Sequence, residues 1–425
     1  MGGSSRHGMV PPTLPPPQGG RKIGGIELDI RVEQWAGKKK THAAAMRAVE
    51  TLTAWTAADA VRCLEKIEAD RRRLKDSGEP WKSGWIGFVS YDLGRALLFG
   101  RLAPRPRLLP LLRFHKIVSI QNPPPLSSPS RGEEEKISRS SDTRDSYRKK
   151  ILRIQEELRS GNAYEVNLSQ RWEWTFNRAP DAARLFSKMS AALRPRYGYL
   201  ERGGTESILC FSPELFFSVD KKQIHAEPIK GTSAAADRGL IRSAKDRAEL
   251  LMITDLFRND LGKICAPGSI RASAPVEMKI PYARHLFSRV QGRLNPNAGL
   301  PEIFAALFPS GSVTGAPKLA ACEIIERLEP FAREEAFGAV GWIGRDRMEF
   351  AVSIRTALLR GRRLRYTAGG GITVYSDPEK EYEETLIKAR KFVECLQTIY
   401  PPSQPSPSRG EGEFSPGATK TFGRP

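Results

Sequence analysis

The residues with the most chemical potential are Glu214 and Lys230, sixteen positions apart in FSPELFFSVDKKQIHAEPIKGT. Between them LFFSV, a turn-like DKKQ and IHAEPI read as two short strands joined by a hairpin, which can bring its two ends together. A lysine at the apolar end of a strand is costly to bury unless it is paired or neutral. Its amine therefore reads as a nucleophile or as half of an ion pair. A snorkelling side chain whose head reaches water explains a lone lysine equally well, so the rest of the chain has to decide.

Two acidic pairs supply further chemistry. Asp246 and Glu249 lie three residues apart in SAKDRAELLMITDLFRNDLG, and Glu381 and Glu384 repeat the spacing in SDPEKEYEETLIKAR. Carboxylates converging from two helices suit magnesium, which takes one or two of them and completes its octahedron with substrate and water. The alternative is a set of solvated helix acids with local ion pairs, such as Glu384 with Lys388 at i,i+4. FPSGSVTGAPKLAACEIIERLEP is a hydroxyl-rich glycine loop opening into a helix with Pro317 near its first turn, a setting for carboxylates or for ordinary capping. It lacks the lysine and Ser/Thr spacing of a P-loop. Gly369, Gly370 and Gly371 allow close backbone approach to a ligand or a tight crossing. His285, in YARHLFSRV, reads as a core histidine on a partly apolar helix.

The elements that must position these groups follow an α+β pattern. From about residue 145 to 400 short strands alternate with helices, which implies antiparallel sheets with helices packed outside. Tyr147, Ile151, Ile154 and Leu158 form one face of a helix that stops at Ser-Gly-Asn before a strand. Upstream, residues 42–75 carry a helical pattern in Ala58, Val61, Leu64 and Ile67, and WIGFVSYDLGR reads as a buried strand with a tight turn at Asp92–Gly94. Residues 1–25 and 401–425 read as disordered, and 122–143 as a low-complexity linker between a shortened N-terminal lobe (26–121) and a catalytic domain (144–400). The segment at 128–135, SPSRGEEE, recurs as SPSRGEGE at 406–413, and reads as inserted linker material.

Composition limits the function classes. The formal charge is +20, but residues 1–160 hold 30 Lys+Arg against 18 Asp+Glu and the remainder 38 against 30, so the excess is spread along the chain. With no basic arm, zinc-finger spacing or RNP-like motif, specific nucleic-acid binding is not expected. The five cysteines form no CxxC pair and read as reduced thiols. No apolar run reaches the roughly 18 residues of a membrane span, and no signal peptide is apparent, so a soluble cytoplasmic protein with no membrane partner is expected.

Taken together, PIKGT (228–232), DLFRNDLG (255–262), HLFSRV (285–290), GSVTGAP (311–317), IRTAL (354–358) and GGGITVYSDPEKEYEET (369–385) closely resemble the chorismate-utilising enzymes. That family includes anthranilate, aminodeoxychorismate, isochorismate and salicylate synthases. The likeness runs in order from about 145 to 397, and more weakly through GWIGFVSYDLGR. It implies a large two-sheet antiparallel sandwich with a magnesium-dependent chorismate site between the sheets. PIKGT, rather than the PIAGT of anthranilate synthases, is similar to the aminodeoxychorismate synthase branch.

The resemblance then implies roles. Lys230 would attack ring carbon 2 while Glu214 protonates the departing 4-hydroxyl, and ammonia would add at carbon 4 to give 4-amino-4-deoxychorismate on the way to 4-aminobenzoate and folate. Glu249 and Glu384 match the magnesium ligands, with Asp246 and Glu381 beside them, and His285 matches the histidine beside the ring. Ser312 and Thr314 of the glycine loop, Arg355, Lys388 and Gly369 to Gly371 match the groups that hold the substrate carboxylates.

Two departures stand out. Glu165 occupies the position that is commonly glutamine in aminodeoxychorismate synthases and the water-activating lysine in the isochorismate branch. Its absence as lysine speaks against water as nucleophile. The N-terminus shows no LLES-like segment of the kind that binds regulatory tryptophan in relatives. No cysteine has a glutaminase setting, so a separate glutamine amidotransferase subunit or free ammonia is expected as nitrogen source, and the chain is expected to stop at the aminated intermediate. Two further readings stay open: anthranilate synthase component I or another chorismate-converting enzyme, and a non-catalytic basic binding subunit.

Overall fold

The computed structural model describes residues 29–36, 39–74, 83–121, 135–234, 239–280 and 283–400. In chain order the N-terminal elements are β1 (Asp29–Ala36), β2 (Lys39–Ala54), α1 (Ala57–Arg71), β3 (Gly84–Val89), α2 (Tyr91–Phe99), β4 (Leu112–Gln121) and β5 (Glu135–Ser140). Next come α3 (Arg144–Arg159), β6 (Glu165–Phe176), α4 (Ala182–Leu193), β7 (Tyr197–Gly203), β8 (Glu206–Ser212), β9 (Leu215–Asp220), β10 (Gln223–Ala226) and β11 (Ile229–Ala234). They are followed by α5 (Ala244–Gly262), β12 (Arg271–Ala272), β13 (Val276–Ile280), β14 (Ala283–Phe287), β15 (Val290–Arg293), α6 (Leu300–Leu307) and β16 (Gly315–Ala316). The last are α7 (Lys318–Leu328), β17 (Ala339–Ile343), β18 (Arg347–Val352), β19 (Thr356–Arg360), β20 (Arg363–Ile372) and α8 (Pro378–Ile399).

The strand ladder runs in two arms that meet where β1 pairs with β2. One arm passes from β2 through β4, β3, β17, β18, β9, β10 and β15 to β12. The other passes from β1 through β7, β8, β19 and β20 to β6, on which β5 and β16 pair. Ile30, Val32, Tyr199, Ile208 and Leu358 of one arm share a core with Ile86, Phe88, Ile117, Val340 and Trp342 of the other. The arms therefore face each other, and every pairing is antiparallel, as the sandwich expectation requires. Helices cover the outer faces: α1, α5 and α6 over one arm, α4 and α8 over the other, and α3 with α7 against β6. The α+β architecture is as read from the sequence.

Local signals explain most of these elements. Helix α3 begins with a capping box in which the Thr143 hydroxyl accepts from the Ser146 N–H while Ser146 returns a bond to the Thr143 N–H. Its buried face is Tyr147, Ile151, Ile154, Gln155 and Leu158, which includes all four residues expected. The hairpin between Glu214 and Lys230 also forms, as β9 and β10 around Lys221 at φ 57°.

Four expectations are corrected. The helical pattern at 42–75 is a strand through Ala54 and a helix only from Ala57. Pairing of β2 on both sides, with β1 and β4, overrides its alanine-rich propensity. The turn at Asp92–Gly94 is the first part of α2, N-capped by Ser90, and its glycine is explained by packing, since a Cβ at Gly94 would run into Pro309. His285 lies on a strand rather than a helix, because β14 is held between β11 and β13 in a separate three-stranded sheet. Residues 135–140, expected within a linker, form β5 against β6. Residues 1–25 and 401–425 and the two SPSRGE segments, apart from Glu135, lie outside the described residues.

Candidate active site

Four features of the backbone converge on one cleft. The segment ending at Glu214 leads into β9, whose Phe216 and Phe217 are fully buried among Phe257, Phe304, Phe308 and Phe350. Burying each such ring contributes about 1.5–3 kcal/mol, so the position of Glu214 is firmly set. Lys230 stands on β11 opposite Leu286, in the three-stranded sheet that also carries His285. The third feature is the β6–β20 ladder, in which Gly369, Gly370 and Gly371 pair with Ser169, Leu168 and Asn167. The fourth is the pair of helices α5 and α8 with their carboxylates. The cleft encloses about 910 Å³, part of it open to solvent, and Glu214, Lys230, Glu249, His285, Arg355 and Glu384 all line it.

Lys230 is no snorkelling lysine: its side chain is only 8% exposed. Its ammonium contacts the carboxylate of Glu165, at the start of β6, which is completely buried. Burial pulls the Lys230 pKa down, but the charges of Glu165, Glu249 and Glu214 outweigh it and hold the amine above the ordinary lysine value. The resting residue is thus an ammonium, the ion-pair half of the two readings its sequence position left open, with Glu165 as the partner. Gly371 makes this contact sterically possible. A Cβ there would collide with Glu165 Oε1 and stand 2.9 Å from Lys230 Nζ. In the sequence Glu165 is marked only as a departure from glutamine; its local signal is an acid opening a strand, EVNLSQRW, that is buried throughout.

Glu214 has the opposite character. Burial pushes its carboxyl up to about 7, with the Ser312 hydroxyl and the Lys230 charge acting against it. Its Oε1 has no hydrogen-bond partner among the described residues. A carboxyl of this kind is protonated over much of the neutral range and can donate. The folded value lies above the ordinary 4.5, so stability is lost as the pH rises through that interval, by about 3 kcal/mol. Glu214→Gln removes the penalty. Its Tm should match the parent at about pH 5 and exceed it at about pH 8; a difference independent of pH would contradict a buried, proton-holding Glu214.

His285 is held neutral, with burial first and the Arg355 charge second pushing its pKa down to about 3. Its Nδ1–H donates to the Gly231 carbonyl at 3.1 Å, which leaves Nε2 to accept from an Arg355 N–H at 3.3 Å. Arg355 itself has a left-handed backbone, φ 53°, between β18 and β19.

The acidic pairs do converge. Asp246 and Glu249 on α5 and Glu381 and Glu384 on α8 all line the cleft. Lys245 Nζ lies 3.0 Å from Glu381 and 3.8 Å from Glu249, and Lys388 Nζ lies 2.7 Å from Glu384 and donates to the Gly369 carbonyl at 3.0 Å. The i,i+4 ion pair of Glu384 with Lys388 therefore forms inside the cleft. Asp246 packs against Gly231 (φ 67°), where a Cβ would stand 2.8 Å from its Oδ1. Among the described residues no three His, Cys, Asp or Glu side chains form a ready metal cluster. Still, burial raises Glu249 to about 7, and among the described residues its Oε1 accepts no hydrogen bond. A largely buried carboxylate with an unsatisfied oxygen, lining the same open cleft as Glu384, fits a cation that brings its own waters. Ser312 lines the cleft, bonded to Ser310 at 2.9 Å. Thr314 does not; its hydroxyl donates to the Ser310 carbonyl and braces the loop.

The family model for chorismate binding enzymes matches residues 30–394. Aminodeoxychorismate synthase component 1 of Escherichia coli K12 is 32% identical over 382 residues, 80% of this chain and 83% of that protein. Anthranilate synthase component 1 of Saccharolobus solfataricus is 36% identical over 258 residues, 58% of this chain and 61% of that protein. In fold, the chain is similar to anthranilate synthase component I from Streptococcus pneumoniae TIGR4, with a TM-score of 0.67 at 22% identity over 91% of this chain and 94% of that one.

Proposed function

The chain belongs to the chorismate binding enzymes, and on that premise we propose that it acts as an aminodeoxychorismate synthase component I, converting chorismate and ammonia to 4-amino-4-deoxychorismate for 4-aminobenzoate and folate synthesis. The observation that carries the choice is Lys230, buried in the same cleft as Glu214. A nucleophilic amine at ring carbon 2 occupies the atom that an anthranilate synthase would aminate, which leaves carbon 4 for ammonia.

In this reaction the Lys230 nitrogen bonds to carbon 2, the two conjugated ring double bonds each shift by one position, and the 4-hydroxyl leaves as water with the Glu214 proton. Splitting one difficult substitution into two lowers each barrier. Ammonia then bonds to carbon 4 and the lysine is expelled. Arg355, Lys388, Ser312 and the backbone of Gly369 to Gly371 orient the substrate carboxylates, while His285, neutral and fixed between Gly231 and Arg355, sets the direction of that arginine. Glu249 and Glu384 would hold magnesium, with Asp246 and Glu381 beside them, and when bound it would supply positive charge against the substrate carboxylates.

None of the five cysteines lines the cleft, which accords with ammonia arriving from a glutamine amidotransferase subunit. Five free cysteines also accord with a cytoplasmic enzyme, and no helix among the described residues is long and apolar enough to cross a membrane. The deciding experiment incubates the protein with chorismate, magnesium and ammonium and identifies the product by mass spectrometry. 4-Amino-4-deoxychorismate is expected; anthranilate would overturn the assignment.

A further inference from the structure

We propose that Glu165 is a catalytic base of this site, taking the proton of the Lys230 ammonium to free the amine, storing it while the lysine is joined to substrate, and returning it when the lysine leaves. The proposal rests on the reading of Lys230 as nucleophile. An ammonium has no lone pair, so a proton must depart before nitrogen can attack. Among the described residues Glu165 is the carboxylate in hydrogen-bond contact with Nζ.

The other charged groups around the cleft have different employment. Glu214 is needed as the proton donor. Glu249 faces Lys245 and Glu381 is bound by Lys245 and Ser376, while Glu384 is bound by Lys388. Asp246 packs on Gly231, and His285 Nε2 faces Arg355. Among the described residues Glu165 has a second oxygen, Oε2, buried and without a partner, and Lys230 is the cation it contacts. Moving the proton across their contact turns two buried charges into two neutral groups. Sending it to water would leave one buried charge alone, the costlier outcome. Gly371 keeps the contact direct, since any side chain there would displace the pair.

The protons balance. One N–H bond of the ammonium breaks and an O–H bond forms on Glu165. The amine forms the bond to carbon 2, the two conjugated ring double bonds shift, the bond from carbon 4 to oxygen breaks, and Glu214 gives its proton to the departing hydroxide, which leaves as water. The lysine nitrogen now carries the positive charge. When ammonia bonds to carbon 4, the two double bonds shift back, the bond from carbon 2 to nitrogen breaks and the amine departs neutral. Glu165 then returns its proton to that amine, and the new ammonium on carbon 4 restores the proton of Glu214. Chorismate and ammonia have become the amino compound and water, and both glutamates are as they began. A glutamine at this position holds a hydrogen bond to the lysine but cannot store its proton.

The test follows formation of the Lys230 adduct by intact-protein mass spectrometry in single turnovers with chorismate and magnesium and no ammonia, from about pH 5.5 to about pH 7. In the parent chain the transfer is internal and the adduct rate is flat over this range. In Glu165→Gln the proton must go to solvent, so the rate falls about tenfold for each pH unit below neutrality. Glu165→Asp retains a carboxylate and a flat acid side at a lower rate. Parent-like rate and pH profile in Glu165→Gln, or a sloping acid side in Glu165→Asp, overturns the role of Glu165. Failure of the nucleophile reading looks different: the parent forms no adduct, and Lys230→Ala still aminates chorismate.

Discussion

Lys230→Ala is expected to lower kcat for amination of chorismate by at least about a thousandfold, because the covalent route is closed and no other amine in the cleft is so placed. The variant has a second defect. It leaves the Glu165 carboxylate buried without the cation it touches, a loss on the order of 3–5 kcal/mol when one partner of a buried pair is removed. Low activity alone would therefore be ambiguous. The double variant Lys230→Ala with Glu165→Gln removes the orphaned charge and should recover most of the lost Tm while remaining inactive. Retention of amination in the single variant excludes the covalent role, and recovery of activity in the double variant would assign the defect to folding.

Glu214→Gln is expected to lower kcat by about 10²- to 10⁴-fold, the usual contribution of a positioned general acid. It should do so in a protein that is more stable than its parent above neutral pH. The two effects have one origin: a carboxyl buried in the cleft beside Ser312 and Lys230 holds its proton to about pH 7, which makes it a competent donor and an unfavourable charge. In the parent, the same titration should give an alkaline limb in kcat near neutrality. A Glu214→Gln variant with parental kcat, or a parent whose activity shows no alkaline limb, would remove Glu214 from the role of acid.

Several site residues were legible because their chemistry travels with a local signature. The sixteen-residue interval between Glu214 and Lys230 contained a readable hairpin, and the acidic pairs on α5 and α8 had helical spacing. His285 was located but misassigned to a helix, because a short apolar stretch carries no period that separates helix from strand until its neighbours are known. Ala43 to Ala45 in β2 were misread for the same reason: helix propensity of a few tenths of a kcal/mol per residue loses to hydrogen bonding on both edges of a strand.

By itself the sequence determined the family, the α+β class and the inventory of reactive groups, since each depends on residue types at short, fixed spacings. It left undecided what those groups are bonded to. Glu165 and Lys230 are 65 positions apart, and the orphaned oxygens of Glu165, Glu214 and Glu249 are properties of an enclosed volume, not of any segment. Proton affinity in a cleft is set by desolvation and by charges arriving from distant strands and helices. Only the tertiary structure could decide between a lone nucleophilic amine and an ammonium held by a glutamate.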